Sequence, residues 1–197
     1  MSKIGLEYLV MGKLNTATAV SGATATYTDA KQMGTMVNFS GAPNTNDAKD
    51  YGDDYAVESD NSVTGGTISC EKNELTLEEY AYMLGHTQAA NGGEVISNAE
   101  DIAPFLGVGM VGKSKLNGSG VFKAKFYYKV QFSEPTDENS TKEESTNFSH
   151  DNIEGQIFML KNGDWKTQKE FETLAAAKAW LNNLLGITGA AAGSTNP

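Results

Sequence analysis

The sequence predicts a mainly β protein, a β-sandwich or partial barrel with one or two flanking helices and long loops. Only 20% of its 197 residues are charged, and much of its polarity comes from Thr, Ser, Asn and 21 Gly. This composition favours strands and turns over helices. In addition, residues 121–132 alternate apolar and polar side chains with a period of two, as a half-buried strand does.

Strands and polar connections alternate along the chain. Residues 4–11 and 33–39 have the apolar density of strands, and the apolar, glycine-containing residues 105–112 predict another. Residues 41–61 contain one Pro, several Asn and a concentration of acidic residues, so we expect a long polar loop there. Residues 134–145 predict a second acidic loop.

A change of phase interrupts the strand that follows residue 61. Val63 lies on the odd parity, whereas Ile68 and Cys70 lie on the even parity. An extra residue in one strand shifts the alternation by one, and glycine accommodates the distorted backbone. We therefore expect a β-bulge at Gly65 and Gly66.

The first predicted helix begins with a capping box at residues 76–79. The hydroxyl of Thr76 can accept a hydrogen bond from the N3 amide, and the Glu79 side chain can reach back to the Thr76 amide. An apolar face with helical spacing follows, and Gly85 can end the helix. The residues of that face are Leu77, Tyr80, Ala81 and Leu84.

The second predicted helix covers residues 167–186, because Thr167 and Glu170 fit another capping box and the chain reaches Gly186 without a break. Trp180 and Ala176 project from the side opposite its main apolar stripe, so the helix is apolar nearly all round. Such a helix is either enclosed or presents its second face to another chain. The stripe consists of Phe171, Leu174, Ala175, Leu181 and Leu185.

Residues 121–132 place three lysines on one face, namely Lys123, Lys125 and Lys129. A basic strand can bind nucleic acid, but three lysines are a small footprint on an acidic protein. We interpret them as a solvated sheet face or as partners for acidic groups. The other, apolar face is predicted to consist of Phe122, Phe126, Tyr128, Val130 and Phe132.

The chain is predicted to form one domain, because no repeat, coiled-coil heptad or linker divides it. This domain covers residues 1–186, including a last strand at 152–160, and residues 187–197 are expected to form a flexible C-terminal tail. No apolar stretch approaches the ~20 residues needed to cross a bilayer. The N-terminus lacks the pattern of a secretion signal. We therefore expect synthesis in the cytoplasm and no membrane partner.

The charge balance restricts the partners of the protein. Lys and Arg number 15 against 25 Asp and Glu, which gives a formal net charge of −10 and a pI near 4.6. The general field of such a protein repels the phosphate backbone and anionic membranes. Specific nucleic-acid binding is therefore not expected.

Few side chains are available for catalysis or metal binding. His86 and His150 are the only imidazoles and Cys70 is the only thiol. The chain therefore has too few histidines and cysteines for the common catalytic triads and zinc sites. We interpret both histidines as structural or solvent-exposed and Cys70 as a small apolar residue. Residues 107–112 spell G-x-G-x-x-G, but no predicted helix follows to bind a pyrophosphate. We expect no enzymatic activity, no cofactor and no metal.

The order of segments along the chain resembles that of a known protein family, although no single motif is specific for it. In chain order, the segments are Ile4-Gly5-Leu6, the acidic Tyr51-Gly52-Asp53-Asp54, Gly65-Gly66-Thr67-Ile68, the helix at 75–84 ending at Gly85, the strand at 105–112, residues 127–135, and Ile153-Glu154-Gly155. This order resembles the major tail proteins, or tail tube proteins, of long-tailed bacteriophages.

The resemblance implies a tail-tube-like β-sandwich that assembles into hexameric rings. In that family, sheets of six subunits join edge to edge into an inner barrel, and the rings stack into a tube in the virion tail. The implied partners are other copies of the chain and other tail proteins. DNA would pass through the lumen without specific binding, and the negative charge would keep it from adhering.

Under this hypothesis, the loops at 41–61 and 134–145 would reach between subunits or rings. We expect five residues to contact neighbouring subunits, and we expect the three lysines to lie away from the lumen. The five residues are Tyr51, Asp53, Asp54, Tyr55 and Trp180.

Two alternatives remain open at this stage. The inner tube of a contractile tail or injection system would share the same fold and the same assembly. A surface- or carbohydrate-binding β-sandwich module belongs to a different class of protein. It predicts a stable monomer with an exposed aromatic platform.

Overall fold

A computed structural model describes residues 2–46, 48–52, 55–60, 62–90, 92–116, 119–136 and 150–187. Within these ranges the chain forms twelve strands and two helices, and strands take up 51% of the chain. The predicted mainly β class is therefore confirmed. The strands are β1 (Ser2–Leu14), β2 (Tyr27–Gln32), β3 (Met36–Thr45), β4 (Ala48–Gly52), β5 (Tyr55–Asp60), β6 (Val63–Lys72), β7 (Thr87–Gln88), β8 (Val95–Ile96), β9 (Leu106–Leu116), β10 (Ser119–Phe132), β11 (Asp151–Ile157) and β12 (Lys166–Phe171). The helices are α1 (Leu77–Leu84) and α2 (Leu174–Leu184).

An antiparallel sheet of eight strands organises the described part of the chain. Its order is β2-β1-β9-β10-β11-β6-β3, and β12 pairs with β10 off this path. β10 is the branch point, because residues 122–127 pair with β12 whereas residues 130–132 pair with β11. The other edge of β10 pairs with β9 along most of its length. The sheet therefore divides in two beyond β10.

An irregularity in β10 moves its apolar side chains from one core to the other. Tyr127 pairs with Val108 of β9, but the next pair joins Val130 to Leu106, so β10 has an extra residue there. Before this bulge, Phe126 packs under α2; after it, Val130 packs in the core on the α1 side. The prediction of a single apolar face along residues 122–132 is therefore wrong beyond Tyr128.

Two hydrophobic cores cover the two faces of the central strands. The core under α2 includes Val10, Phe126 and Leu181, each fully buried, and the core on the α1 side includes Val108 and Tyr127. Burying each large apolar side chain contributes about 1.5–3 kcal/mol. Adjacent residues of β10 thus stabilise opposite layers of the fold.

Glycines in β9 let the α2 core approach the sheet closely. A Cβ at Gly107 would lie 2.8 Å from the ring of Phe126, and a Cβ at Gly109 would lie 2.9 Å from Leu181. Real Cβ atoms do not approach other atoms so closely, so a larger residue would push these side chains away. The G-x-G-x-x-G pattern lies inside a strand, and two of its glycines have this packing role.

The capping-box prediction for α1 is confirmed. The Thr76 hydroxyl accepts a hydrogen bond from the Glu79 amide, and the Glu79 carboxylate accepts one from the Thr76 amide. Gly85 ends the helix in the left-handed conformation with a φ of 79°, which glycine adopts without strain. The sequence therefore determines both ends of this helix locally.

The predicted start of the second helix is wrong. Thr167 and Glu170 belong to β12, because residues 166–171 pair in regular register with residues 122–127 of β10. The helix begins later, and its N-cap is Thr173, whose hydroxyl accepts a hydrogen bond from the Ala176 amide at 3.3 Å. Tertiary pairing has overridden a local capping signal here.

The predicted polar loop at 41–61 is also wrong, because this stretch lies in a long β-hairpin. β3 pairs with β6, and β4 pairs with β5. The Asn46 amide donates to the Ser62 carbonyl at 2.8 Å, between the two ladders. Polar strands without an apolar face escape sequence patterns that detect half-buried strands.

The predicted bulge is confirmed one residue from the expected place. Asn44 pairs with Gly65 and Thr45 with Val63, which leaves Thr64 as the extra residue of β6. Gly65 beside it has a φ of 149°, which side-chain-bearing residues rarely adopt. The bulge restores the parity that buries Ile68 and Cys70.

Parts of two predicted segments lie outside the described residues. Of the acidic stretch 134–145, residues 137–145 are not described, and of the predicted tail only Ile187 is described. Ile187 packs against the α2 core, and its amide donates to the Asn182 carbonyl at 2.8 Å. The flexibility of the tail stays a prediction.

Candidate functional site

The two end strands of the sheet, β2 and β3, are candidate assembly edges. In the described part of the chain, each pairs with one other strand, β2 with β1 and β3 with β6. All residues of β3 are exposed except Met36 and Phe39, which are half-buried. An open edge carries unpaired backbone donors and acceptors and is a template for another strand.

One face of β3 packs on the body of the protein, and no strand of the described residues pairs with its outer edge. The Phe39 ring packs on the Tyr127 ring with centroids 5.9 Å apart, and Gly41 lies too close to the Tyr127 phenol for a Cβ to fit between them. Pro43 has no backbone donor, and proline inside a strand is typical of an edge. These contacts fix one face of β3 against the core and leave its backbone edge accessible.

The hairpin of β4 and β5, here called the arm, contains the acidic residues that the sequence singled out. Tyr51 and Tyr55 lie in facing strands, where Tyr51 pairs with Ala56 and Gly52 pairs with Tyr55. Asp53 and Asp54 lie between these strands, outside the described residues. Residues 47–60 include six acidic residues and one lysine, a formal charge of −5 and half the net charge of the chain.

Trp180 lies at the border between α2 and β12 rather than on a separate apolar face. Its ring packs on Phe171 with centroids 5.8 Å apart, and the residue is half-buried against the α2 core. The buried residues of α2 are Ala177 and Leu181, whereas Ala175 and Ala176 are exposed. The prediction that Trp180 projects away from the core is therefore wrong, and its role as a subunit contact stays a prediction.

The three lysines of β10 do not act as one basic row. Lys123 forms an ion pair of 3.0 Å with Glu170 of β12. Lys129 lies in the bulge, between Tyr127 and Val130, with its ammonium 4.1 Å from the centroid of the Phe105 ring. The expectation of acidic partners is thus confirmed for Lys123, although that partner is a strand residue rather than a loop residue.

His86 lies between two carboxylates from distant parts of the chain. Its Nδ1 is 2.8 Å from Asp101 Oδ2 and its Nε2 is 2.6 Å from Glu134 Oε1. The Tyr80 hydroxyl donates to the other oxygen of Glu134 at 2.7 Å, and the Tyr80 ring packs beside the imidazole. The His86 side chain is only 4% exposed, which confirms a structural position.

The electrostatics of this cluster favour the charged imidazole. Burial lowers the pKa of His86, but the hydrogen bonds to Asp101 and Glu134 outweigh it, so the pKa is raised above its ordinary value. The hydrogen bond from His86 and that from the Asn98 amide lower the pKa of Asp101. Because both ring nitrogens already bind a carboxylate, neither is free to act as a general base.

The cluster is also unsuited to a metal ion. Its two carboxylates bind opposite nitrogens of one ring, so the three groups do not converge on a single point. Among the described residues, no group of three or more His, Cys, Asp or Glu has the geometry to hold a metal. The cluster's chemistry is therefore that of a proton-dependent hydrogen-bond network.

A buried lysine joins the end of β6 to α1. The Lys72 side chain is 2% exposed, and its ammonium pairs with the Glu79 carboxylate, which is 13% exposed. Glu79 also accepts a hydrogen bond from the Gly34 amide at 2.7 Å. Burial raises the pKa of Glu79, but the Gly34 amide and Lys72 outweigh it and lower the pKa. No sequence pattern indicates this pair, because polar residues at a strand end ordinarily face water.

Cys70 lies on the same face of β6, two residues before Lys72. It is 1% exposed, and burial raises the pKa of its thiol to about 12. A thiol that remains protonated is a poor nucleophile. This confirms the interpretation of Cys70 as a small apolar residue.

Comparison with known proteins does not identify the chain. No family model and no curated protein matches it. No helix in the described ranges has the length and apolar character needed to span a membrane. The sheet edges, the arm and the charged clusters are therefore the features from which a function has to be inferred.

Proposed function

We propose that the protein is a structural, non-enzymatic subunit of a phage tail tube, which forms stacked hexameric rings whose lumen conducts DNA in the virion tail. The observation that carries this proposal is the long, exposed edge strand β3 at one end of the sheet in the described part of the chain. The order of segments, which resembles that of tail tube proteins, supports it. The lack of groups suited to catalysis in the sequence agrees with a structural role.

Edge pairing explains how the sheet could continue from one copy to the next. β3 lies at one end of the sheet and β2 at the other, so β3 of one copy could pair with β2 of its neighbour. Such a contact joins two different surfaces, and it closes into a ring when the rotation between copies fits. Pairing would also remove the aggregation hazard that an open edge presents.

The arm extends the β3–β6 ladder beyond the sheet and is suited to reach another copy. Its backbone is ordered as two paired strands, and its charge of −5 favours contact with basic groups of a neighbour over contact with DNA. We assign the subunit contacts expected of Tyr51, Asp53, Asp54 and Tyr55 to this arm.

Electron microscopy of the purified, concentrated chain tests the proposal directly. We expect rings or tubes from the unchanged chain. Ala42→Lys places a charge on the exposed edge strand β3 and should abolish them, because edge lysines oppose strand pairing. Gln156→Lys is the matched control, since Gln156 is exposed but lies in β11, which has a strand on either side.

The outcomes separate the competing functions. Neither rings nor tubes under any condition would overturn the proposal, and a strict monomer in light scattering would favour a surface- or carbohydrate-binding module. If Ala42→Lys and Gln156→Lys abolish the tubes equally, the edge of β3 is not the contact between copies. The tube of a contractile tail or injection system would pass the same test, and particle morphology separates it from a non-contractile tail.

A further inference from the structure

Three separate parts of the chain meet at the His86 imidazole. His86 follows Gly85 at the end of α1, Asp101 lies in the connection between β8 and β9, and Glu134 follows the end of β10. The carboxylates are 15 and 48 residues away in sequence. A single side chain thus joins the start of the 134–145 stretch to α1.

The hydrogen-bond geometry favours a doubly protonated ring. Ionised carboxylates only accept hydrogen bonds, whereas a neutral imidazole has one N–H and one acceptor nitrogen. Contacts of 2.8 Å and 2.6 Å at the two nitrogens are therefore both favourable only when the ring is an imidazolium. The charged groups that act on it are Asp101 and Glu134, and the Tyr80 phenol lies beside it.

We propose that His86 is a pH-sensitive clasp that holds Glu134, and with it the chain leaving β10, against the end of α1. The clasp is closed while the imidazole is charged. It opens at the Glu134 side when the ring loses a proton. This inference does not depend on the proposed tube function.

The two sides of the clasp differ in strength. Asp101 is 20% exposed and also accepts a hydrogen bond from the Asn98 amide at 2.9 Å, whereas Glu134 is 57% exposed and its other oxygen accepts from the Tyr80 hydroxyl at 2.7 Å. A neutral ring that keeps its proton on Nδ1 still donates to Asp101. Its Nε2 lone pair then faces Glu134, and this exposed carboxylate can turn into water at little cost. Deprotonation therefore releases Glu134 from the ring, with the Tyr80 hydroxyl left as its donor, and retains Asp101.

The direction of the pH dependence follows from the charge of the cluster. The two carboxylates raise the pKa of His86 despite its burial. A group with a raised folded-state pKa contributes stability fully below its unfolded pKa of about 6.5 and loses it as the pH rises through the folded pKa. The clasp is thus closed below the ordinary pKa of histidine and opens as the pH rises through the raised pKa of His86.

Heteronuclear NMR of the full chain, titrated from about pH 5 to pH 9, tests the clasp. We expect the His86 ring to titrate above the ordinary value, with the Ser133 and Glu134 amide shifts following the same midpoint. Glu134→Gln should lower the His86 midpoint and remove this coupling, because a neutral amide can both accept from and donate to Nε2. Glu100→Gln removes the same charge beside Asp101 and should leave the coupling intact.

Two results would overturn the clasp. The first is a His86 midpoint at or below the ordinary value, since the ring would then not be held as an imidazolium. The second is a set of Ser133 and Glu134 amide shifts that do not change through the His86 midpoint, since Glu134 would then not be released. Neither of these two measurements requires a variant of His86, whose replacement could unfold the end of α1.

Discussion

β10 and β3 are both long strands of one sheet, but their surroundings differ completely. β10 pairs with β9 on one edge and with β12 and β11 on the other, and its centre is buried on both faces. β3 pairs with β6 alone in the described part of the chain, and only Met36 and Phe39 are even half-buried. Among the described residues, β10 has paired strands on both of its edges, whereas β3 has a paired strand on one edge.

The difference teaches which part of the molecule stabilises it and which part is available to a partner. A strand with both faces buried contributes transfer free energy at each side chain. An exposed edge strand contributes little to the isolated chain, yet it retains unpaired backbone groups that another strand can satisfy. Changes in β10 should therefore alter stability, and changes in β3 or the arm should alter association.

The largest effect is expected at the centre of β10. Phe126→Ala should lower the free energy of unfolding by about 3–5 kcal/mol, because a fully buried ring leaves a cavity under α2. Phe39→Ala, the matched change in β3, should cost at most about 2 kcal/mol, because Phe39 is only half-buried. Urea denaturation measures both. Equal losses would contradict the contrast between the two strands.

A slightly smaller effect is expected where the β3–β6 pair is tied to α1. Met36 of β3 pairs with Lys72 of β6, whose ammonium binds Glu79. Glu79→Ala should lower the free energy of unfolding by about 3 kcal/mol, because it leaves a buried charge unpaired. Glu78→Ala removes an exposed partner of Lys31 and should cost under about 1 kcal/mol. A loss of the same size in both variants would show that Lys72 does not depend on Glu79.

The same pair predicts a dependence of stability on acid. The pKa of Glu79 is lowered in the folded chain from its ordinary value of 4.5. Its stabilising effect is therefore complete above pH 4.5 and is lost as the pH falls through the folded-state pKa. The difference in unfolding free energy between the unchanged chain and Glu79→Gln should shrink over that range. A difference that stays constant with pH would contradict this assignment.

The smallest effect on stability is expected from removal of the arm. Asn46 and Ser62 are joined by a backbone hydrogen bond of 2.8 Å, so an Asn-Gly turn can replace residues 47–61. The free energy of unfolding should change by no more than about 1 kcal/mol, because a shorter connection costs less closure entropy. Assembly should be lost under the proposed function. A large loss of stability would show that the arm is part of the folded core.

What the sequence could predict depended on how local the cause was. The capping box at Thr76 and the left-handed Gly85 of α1 act within a few residues, and both predictions are confirmed. The capping pattern at Thr167 looks the same in the sequence. Pairing of residues 166–171 with β10 nevertheless makes it a strand, and this pairing joins segments about 40 residues apart.

The charged clusters were beyond prediction for the same reason. The sequence predicts a structural or solvent-exposed His86, but nothing near it in sequence indicates Asp101 or Glu134 as its partners. Lys72 gave no signal of burial, because its partner lies across the boundary between β6 and α1. The expected contact residues of the arm and Trp180 remain predictions, since their partners would belong to another copy.

Cys70 and Lys72 are two buried side chains of β6 whose chemical labelling can report the opening of this strand. Both side chains point into the core from one face, and neither is more than 2% exposed. A thiol reagent and an amine reagent should therefore both be excluded until β6 separates from its neighbours. Their labelling rates, measured by mass spectrometry on one peptide, would show how often the C-terminal end of β6 opens and whether Cys70 and Lys72 become accessible together.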